Sequence, residues 1–166
     1  MHTLLTKLKD RFPEDVLAVR EEGSYNDLVA QVRAPAIPQV ARFLHDDPEA
    51  AFDMITDICS VDYPEDEERF EVIYLLKSLP HNHRLRLKAR LPADDPTIPT
   101  VTTVWKGANF MEREVYDLMG IKFAGHPDLR RILMPHEFTA FPLRKDYPLR
   151  GHGERHNFET VTRADS

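Results

Sequence analysis

Cysteine and glycine are scarce in this sequence, and each shortage excludes a class of function. Cys59 is the one cysteine among 166 residues. The chain therefore forms no internal disulfide and cannot by itself hold an iron–sulfur cluster, which needs about four ligands. The six glycines are scattered, and the patterns GxGxxG, GxxxxGK[ST], GxSxG and CxxC do not occur. The chain's own residues thus offer no recognisable site for a nucleotide, a flavin or a cluster.

Long hydrophobic runs are also missing. The longest apolar clusters, such as VIYLL at 72–76, fall far short of the roughly 20 residues that cross a bilayer. The first residues, MHTLLTKLKDRF, alternate leucine with lysine and lack the apolar run and cleavage site of a signal peptide. We therefore expect the protein to stay in the compartment where it is made.

Charge is distributed unevenly along the chain. Residues 1–120 carry 14 Lys and Arg against 22 Asp and Glu, whereas residues 121–166 carry 8 against 6. The acidic first part argues against general nucleic-acid binding, which needs a basic surface to displace counterions from phosphates. The slightly basic end suits an acidic partner.

The periodicity of residues 1–120 predicts an α+β domain. Leu4, Leu5, Leu8 and Phe12 recur at helical spacing, and PAIPQVARFLHDDP predicts a second helix between Pro38 and Pro48. Hairpin patterns occur in VLAVREEGSYNDLVAQV and in RFEVIYLLKSL with HRLRLKARL, and FDMITDICSVDY reads as a strand. We expect four strands in a small, mostly antiparallel sheet, with helices packed on it.

A third helix is predicted just before Gly120. Asn109 and Glu112 fit a capping box, and Gly120 fits the helix end. Within this helix the apolar residues Met111, Val115, Leu118 and Met119 should face the body. On the other side, Arg113 and Asp117 are four residues apart and can pair.

Beyond Gly120, proline interrupts every candidate helix. We call residues 121–150 the C-terminal arm and predict that they form an extended docking segment, followed by a polar, poorly ordered tail at 151–166. Its apolar residues are Ile132, Leu133, Met134, Phe138, Phe141, Leu143, Tyr147 and Leu149. Fully extended, residues 126–149 would reach roughly 80 Å, too far to bury these side chains against a small sheet. The expectation is that much of the arm lies on another protein.

Several polar groups suggest chemistry but have simpler explanations. Glu112, Glu114, Asp117 and His126 could in principle form a metal site or an acid–base set, and a freestanding hydrolase using three of them is one hypothesis. However, helical spacing points the three carboxylates in different directions, and His126 lies beyond a glycine. His152 and His156 are spaced as HxxxH, without the helix that would align them. The acidic run at 65–68 fits a solvated loop better than a cation cage.

One long motif resembles a known family. ERE-VY-DLM, followed after six residues by His126 and after three more by RRIL, resembles the signature of the thirty-kilodalton subunit of respiratory complex I, the C subunit of NADH-quinone oxidoreductase. The similarity extends over VDYPEDEERFEVIYLLKSL, NHRLRLKARL, PTIPTVTTVWKGANF and PLRKDYPLRG, roughly residues 50–150. Phe138 and Ala140 depart from it, because the family has tryptophan and glycine there.

This resemblance implies a subunit of the complex's hydrophilic arm, without catalytic residues or cofactors of its own. FMN, iron–sulfur clusters and quinone would belong to partner subunits. The C-terminal arm would wrap the D subunit, which helps form the quinone site, with further contacts to the B and I subunits. The complex would lie on the cytoplasmic side of the bacterial inner membrane, with this chain as a peripheral component. An equivalent subunit of a membrane-bound hydrogenase or another quinone reductase is the alternative.

The resemblance also assigns residues. The partner-binding and signature positions are Glu112, Arg113, Glu114, Asp117, Leu118, Met119, His126, Arg130, Arg131, Ile132, Leu133, Phe138, Phe141, Leu143, Arg144, Lys145 and Tyr147. Because burial of unpaired cations costs several kcal/mol, we expect Arg130, Arg131, Arg144 and Lys145 to meet carboxylates of the other chain.

Overall fold

The computed structural model describes residues 2–22 and 27–154. Its helices are α1 (His2–Arg11), α2 (Ile37–Asp46) and α3 (Ala108–Met119), and a short 3₁₀ turn, Ala34–Ala36, precedes α2. Its strands are β1 (Val16–Glu22), β2 (Asp27–Val32), β3 (Met54–Asp62), β4 (Phe70–Ser78), β5 (His83–Leu91), β6 (Thr97–Pro99) and β7 (Lys122–Ala124). Residues 23–26, the turn of the first predicted hairpin, lie outside the described residues, as do His156 and most of the predicted polar tail.

Five strands form the main sheet, in the order β1-β2-β5-β4-β3. Neighbouring strands are antiparallel except β2 and β5, which run parallel. The predicted α+β class with a mostly antiparallel sheet is confirmed. The expected number of four strands is wrong, because the two predicted hairpins and the single strand FDMITDICSVDY already make the five strands observed. Strands β6 and β7 form a separate parallel pair. At three residues each, they are too short to show a period-2 pattern.

The main sheet buries one face under the helices. Residues alternate strictly in β5, where Leu85, Leu87, Ala89 and Leu91 are buried and the intervening residues are not. These side chains join Tyr74 of β4 and apolar residues of α1, α2 and α3 in one core. We call this the inner face. The opposite, outer face carries the alternate residues of β3, β4 and β5.

Helix α3 packs on β3 with the predicted side inwards. Val115 and Met119 are buried, and Met111 and Leu118 pack partly buried against the core. The predicted capping box is wrong. The helix begins one residue before Asn109, after Gly107, with no side-chain cap.

The C-terminal arm does not extend away from the body. Strand β7 pairs with β6, and both Ile121 and Phe123 are core residues. Further along, the arm forms successive turns, in which the N–H groups of Phe138, Arg144 and Tyr147 each bond to a carbonyl three residues earlier. The expected extended conformation is therefore wrong for the described chain, because α3 and β3 supply partners that the sequence pattern did not reveal.

Candidate functional site

Asp117, near the end of α3, binds three consecutive backbone N–H groups of the arm. Its Oδ2 accepts hydrogen bonds from the N–H groups of Ile132 at 3.0 Å, Leu133 at 2.6 Å and Met134 at 2.8 Å. Its Oδ1 accepts a fourth, from Arg131 Nη1 at 2.8 Å. Successive N–H groups that converge on one point form a concave anion site, which this carboxylate occupies.

These bonds keep Asp117 charged. Its side chain has no exposed surface. Burial alone would raise the pKa of this carboxyl, but the three arm N–H groups and Arg131 outweigh burial and hold the pKa below its usual value. Hydrogen bonds from the arm thus take the place of the water that would otherwise solvate this carboxylate. The predicted pairing of Asp117 with Arg113 is wrong, because Arg131 is the partner.

Arg113 binds the same loop through its backbone carbonyl groups. Its guanidinium donates from Nε to the carbonyl of Arg130 at 3.2 Å and from Nη2 to that of Arg131 at 3.3 Å. The group also lies 5.7 Å from the ring of Phe110. Residues 130–134 are therefore bound through their carbonyls by an arginine and through their N–H groups by an aspartate, both on α3.

Arg131 ties this loop to the next turn of the arm. Besides the Asp117 carboxylate, it donates to the Asp117 carbonyl at 3.0 Å and, from Nη2, to the carbonyl of Ala140 at 3.0 Å. Its guanidinium lies over the rings of Phe138 and Phe141 at 5.7 and 5.2 Å. Phe138 and Ala140, the two departures from the family pattern, both contact this arginine.

A second attachment is made at the end of α3, where the last carbonyls of a helix lack partners within it. The N–H of Leu143 donates to the carbonyl of Leu118 at 3.1 Å, and Arg144 Nε donates to that of Met119 at 2.7 Å. A cation at a helix C-terminus is also favoured by the helix dipole. The Arg144 guanidinium lies 4.9 Å from the Phe70 ring and 4.7 Å from the Phe141 ring.

A third attachment is made at Asp62, the last residue of β3. Arg69 donates to both carboxylate oxygens, at 2.6 and 2.8 Å, and the backbone N–H of Lys145 donates to Oδ2 at 2.7 Å. The hydrogen bond from Arg69 is the main reason that the pKa of Asp62 is lowered. Arg69 also pairs with Asp146 at 2.9 Å. These bonds fix residues 145–146 against the start of β4.

The arm's cations therefore do not all depend on another chain. Arg131 pairs with Asp117, and Arg130, on the surface, pairs with Asp128 at 2.9 Å. The expectation that their acidic partners lie on another protein is wrong for these two residues. Arg144 has neighbouring carboxylates in its own chain, but burial lowers the pKa of its guanidinium.

Glu112 and His126 form a separate buried pair. Glu112 accepts hydrogen bonds from Thr100 Oγ1 at 2.6 Å and from the N–H of Val101 at 2.8 Å. His126 Nε2 lies 4.0 Å from Glu112 Oε2 and neither side chain is exposed. The N–H of Asp128 donates to His126 Nδ1 at 3.0 Å, so Nε2 carries the proton of the neutral ring and donates to the Asn109 carbonyl at 3.1 Å.

Burial raises the pKa of Glu112 to about 7, against the opposing effect of its two hydrogen bonds. The phenol of Tyr74 is also fully buried and has no hydrogen-bond partner within the described part of the chain. Burial, together with the nearby charge of Glu112, raises the pKa of this phenol. His126, which the sequence separates from the helix by a glycine, nevertheless reaches Glu112, since the turn after β7 brings them together. Complete burial nevertheless closes the pair to a substrate, and Asp117 serves the arm instead.

The attached arm leaves large apolar side chains exposed. Leu133 is 56% exposed, Leu143 58% and Ile132 39%, although each of these residues has its backbone N–H bound to α3. Phe110, beside Arg113, is 62% exposed. We call these four residues the apolar rim. Leu149 is fully exposed further along, whereas Phe138 is buried and Phe141 and Tyr147 are half-buried.

The remaining predicted residues take ordinary positions. Glu114 is exposed on α3, and Lys145 is exposed beside its bound backbone.

Reasoning from sequence missed Asp62, Arg69 and Thr100, which hold the arm or Glu112. The sequence contained no signal for these roles, because Thr100 acts on Glu112 across 12 positions and Asp62 on Lys145 across 83, and Arg69 also reaches Asp146 in the arm. Within the described residues, no group of three or more His, Cys, Asp or Glu side chains could hold a metal ion, and no helix is long and apolar enough to cross a membrane.

Fold and site together define a class of protein: a small α+β subunit whose C-terminal arm is fastened to its last helix. The model of the family described as respiratory-chain NADH dehydrogenase, 30 Kd subunit, matches residues 30–153. The chain belongs to this family. The predicted resemblance is confirmed.

Curated relatives are named as the same component. The chain is 45% identical over 147 residues to the NADH-quinone oxidoreductase C subunit of Roseiflexus castenholzii, and the match covers 89% of this chain and 83% of the relative. It is 48% identical over 147 residues to the C subunit of Geobacter sulfurreducens, covering 87% and 88%.

Two solved structures share the fold. A trypsin-resistant fragment of Nqo5 superposes with a TM-score of 0.64 at 33% identity and covers 77% of this chain and 98% of the fragment. A chain of the membrane-bound sulfane sulfur reductase, an archaeal respiratory membrane complex, superposes with a TM-score of 0.75 at 24% identity, covering 98% and 93%. This second likeness shows the fold alone.

Proposed function

We propose that the chain is a non-catalytic scaffold subunit of a proton-translocating NADH-quinone oxidoreductase, and that its arm docks on the neighbouring D subunit, which helps form the quinone site. The B and I subunits are further partners. FMN, iron–sulfur clusters and quinone belong to other subunits of the complex. The chain associates with the cytoplasmic side of the bacterial inner membrane only through the complex.

One observation carries the docking role: the arm is fixed by its backbone while several of its apolar side chains face outwards. Residues 132–134 direct their N–H groups to Asp117, and the N–H groups of Leu143 and Lys145 bond to Leu118 and Asp62. The loops are therefore rigid without burying Ile132, Leu133 or Leu143. A surface ordered before binding loses less conformational entropy on association. Exposed apolar side chains clustered in this way are typical of protein interfaces.

A rigid scaffold fits the chemistry of such a complex. Electron transfer to quinone depends on fixed geometry between donor and acceptor, which supporting subunits maintain. The naming of the relatives as C subunits favours an NADH-quinone oxidoreductase over the alternative of a related hydrogenase. The two differ in what co-purifies: flavin with the former and nickel with the latter.

The test compares exposed leucines inside and outside the proposed interface. In Leu133→Glu/Leu143→Glu, each buried interface leucine would become a buried charge, so co-purification of the D subunit should be lost. The matched control, Leu17→Glu/Leu79→Glu, changes leucines that are 50% and 56% exposed on β1 and after β4. It should retain the complex. Both should leave the isolated chain folded, as judged by circular dichroism. Retention of the D subunit by both variants would contradict the proposal.

A further inference from the structure

The outer face of the main sheet carries a concentration of positively charged side chains. Lys77 projects from β4, and four cations alternate along β5: Arg84, Arg86, Lys88 and Arg90. The strand registers put these five on the face opposite the core. We call them the cationic row. Among the side chains that the structure describes on β3, β4 and β5, the carboxylates of Asp57 and Glu71 share the face. The excess is positive although residues 1–120 as a whole are acidic.

One end of the row is neutralised within the chain. Arg90 lies directly opposite Glu71 in the sheet register, with Nε 3.3 Å from its carboxylate, and also bonds Asp66 at 3.0 Å. Lys88 lies 3.5 Å from the same Glu71. Opposite charges facing each other across strands stabilise a sheet. This end is therefore accounted for by the fold.

The other end has the reverse arrangement. Arg84 lies directly opposite Lys77. Like charges in this position destabilise a sheet. Arg86 follows two residues later on the same face but has an interaction of its own within the chain, so it is not part of this like-charged pair. The isolated fold gains nothing from placing Lys77 and Arg84 together, so the pair points to an anionic group outside the chain.

A hollow of about 370 Å³ opens at this same end. It is lined by Thr56, Leu75, Leu76, Lys77, Arg84 and Arg86. Leu75 contributes an apolar surface between the cations and is only half-buried. An apolar surface bordered by positively charged side chains fits an extended polypeptide that combines carboxylates with an apolar side chain.

The arm does not fill this surface. Its attachments are to α3 and to Asp62, whose pairing with Phe70 places it on the inner face of the sheet. The apolar rim and the cationic row are thus separate surfaces, one apolar and one charged.

We propose that the outer face, centred on Lys77, Arg84 and the hollow beside them, docks an acidic, partly apolar segment of a second subunit of the complex. The inference rests on the proposed function, since it takes the partner from the same complex. It adds a second contact, distinct from the arm, and a chemistry for it: carboxylates against Lys77 and Arg84, with a side chain against Leu75.

Lys77→Glu tests this with two effects of opposite sign. In the isolated full-length chain the substitution replaces a like-charged pair with an opposite-charged one, so Tm should rise by about 1–2 °C. In the complex, purified from the native host through a tag on this chain, it should repel the acidic segment. Recovery of the partner that supplies this segment, after a wash in about 0.3 M salt, should fall about tenfold. A variant that was merely misfolded would lose stability as well.

Lys9→Glu, the same charge change on exposed α1, is the control and should leave recovery unchanged. Carbodiimide cross-linking of the wild-type complex should join the Lys77 amine to a partner carboxylate. Unchanged partner recovery with Lys77→Glu, or cross-links from Lys77 only to this chain's own carboxylates, would overturn the proposal. Binding of the wild-type chain to phosphatidylglycerol vesicles, lost in Lys77→Glu while partner recovery persists, would show that the face takes lipid and would overturn it too. If the wild-type chain brings no partner at all, the proposed function itself fails.

Discussion

At the scale of single residues, the arm is held mainly by buried charge. Asp117 is ionised and enclosed, and its four hydrogen-bond donors all come from residues 131–134. Such a group contributes to stability only while its partners are complete, because an incompletely paired buried charge is costly. The signature aspartate is thus explained by the folding of the arm on its own chain.

Asp117→Asn should therefore release the arm. The amide cannot accept four hydrogen bonds as the carboxylate does, and Arg131 loses its counter-charge, so the free energy of unfolding should fall by about 3 kcal/mol. Trypsin should also cleave faster after Arg130 and Arg131, whose carbonyls are otherwise bound. Urea unfolding and timed proteolysis measure the two effects. Glu114→Gln, on the exposed side of the same helix, is the control. Equal stability and equal cleavage of the two variants would show that Asp117 does not hold the loop.

Glu112 should make the free energy of unfolding fall as pH rises. Its pKa is raised from 4.5 to about 7 in the folded chain. The folded state therefore binds this proton more tightly than the unfolded state does. The resulting stability is fully present below about pH 4.5 and is lost as pH rises through about 7, by about 3 kcal/mol. Asp62 and Asp117, with lowered pKa values, act oppositely, and their contribution is lost only as pH falls below about 4.

Urea unfolding between about pH 5 and pH 8 measures this dependence. Glu112→Gln retains an acceptor for the Val101 N–H and a donor towards Thr100, but it removes the titration, so its stability should vary much less over the range. A wild-type chain whose stability is flat between these pH values, or a variant with the same slope, would contradict a carboxyl that is protonated on burial.

The capping box shows why residue roles were only partly predictable. Asn109 and Glu112 have the right spacing, but the spacing only says that the two can meet. Glu112 bonds instead to Thr100 and Val101, a segment brought close by the pairing of β6 with β7. Local spacing predicted the helix and its end at Gly120 correctly. It failed where a long-range contact outweighed the local hydrogen bond.

At the scale of elements, the junction between α3 and the arm depends on Gly120. Its φ of +72° lies in the left-handed region, and a Cβ there would lie 2.6 Å from both Arg144 Nη2 and the Phe141 ring. One residue thus ends the helix and leaves room for the returning arm. The helix end was predictable from the sequence, but the close approach of the arm was not.

Gly120→Ala tests whether the left-handed conformation and the close approach of the arm both require glycine at this position. Left-handed strain and the clash with Phe141 should destabilise the chain by about 1–3 kcal/mol and displace the arm. Gly107→Ala is the matched control, because φ there is −62° and the nearest atom to an added Cβ is 4.0 Å away. It should be neutral or slightly stabilising. Thermal unfolding compares them, and equal Tm values would contradict the described junction.

The elements that sequence reasoning found are those with a sustained period. In the hairpin, β4 alternates from Val72 to Ser78 and β5 from Arg84 to Leu91, and α3 keeps one apolar side. The parallel contact of β2 with β5 and the β6–β7 pair could not be inferred, because they join distant segments and leave no local pattern. The arm was misjudged for the same reason: its apolar and charged residues were counted without the carboxylates of α3 and β3.

At the scale of the whole molecule, the described part of the chain presents two surfaces that we propose contact partners. The apolar rim consists of exposed side chains on the attached arm and on α3, and the cationic row lies on the outer face of the sheet. Together they describe a protein able to contact two partner segments at once, which suits a scaffold. Membership of the 30-kDa subunit family supplies the complex in which such contacts would form.

The most direct test of the central claim is hydroxyl-radical footprinting of the assembled complex beside the free chain. The account predicts that Leu133 and Leu143 react readily in the free chain and are strongly protected in the complex. Leu17 and Leu79, equally exposed but outside the rim, should react alike in both. Equal modification of Leu133 and Leu143 in the free chain and in the complex would contradict the claim that the arm is a docking surface.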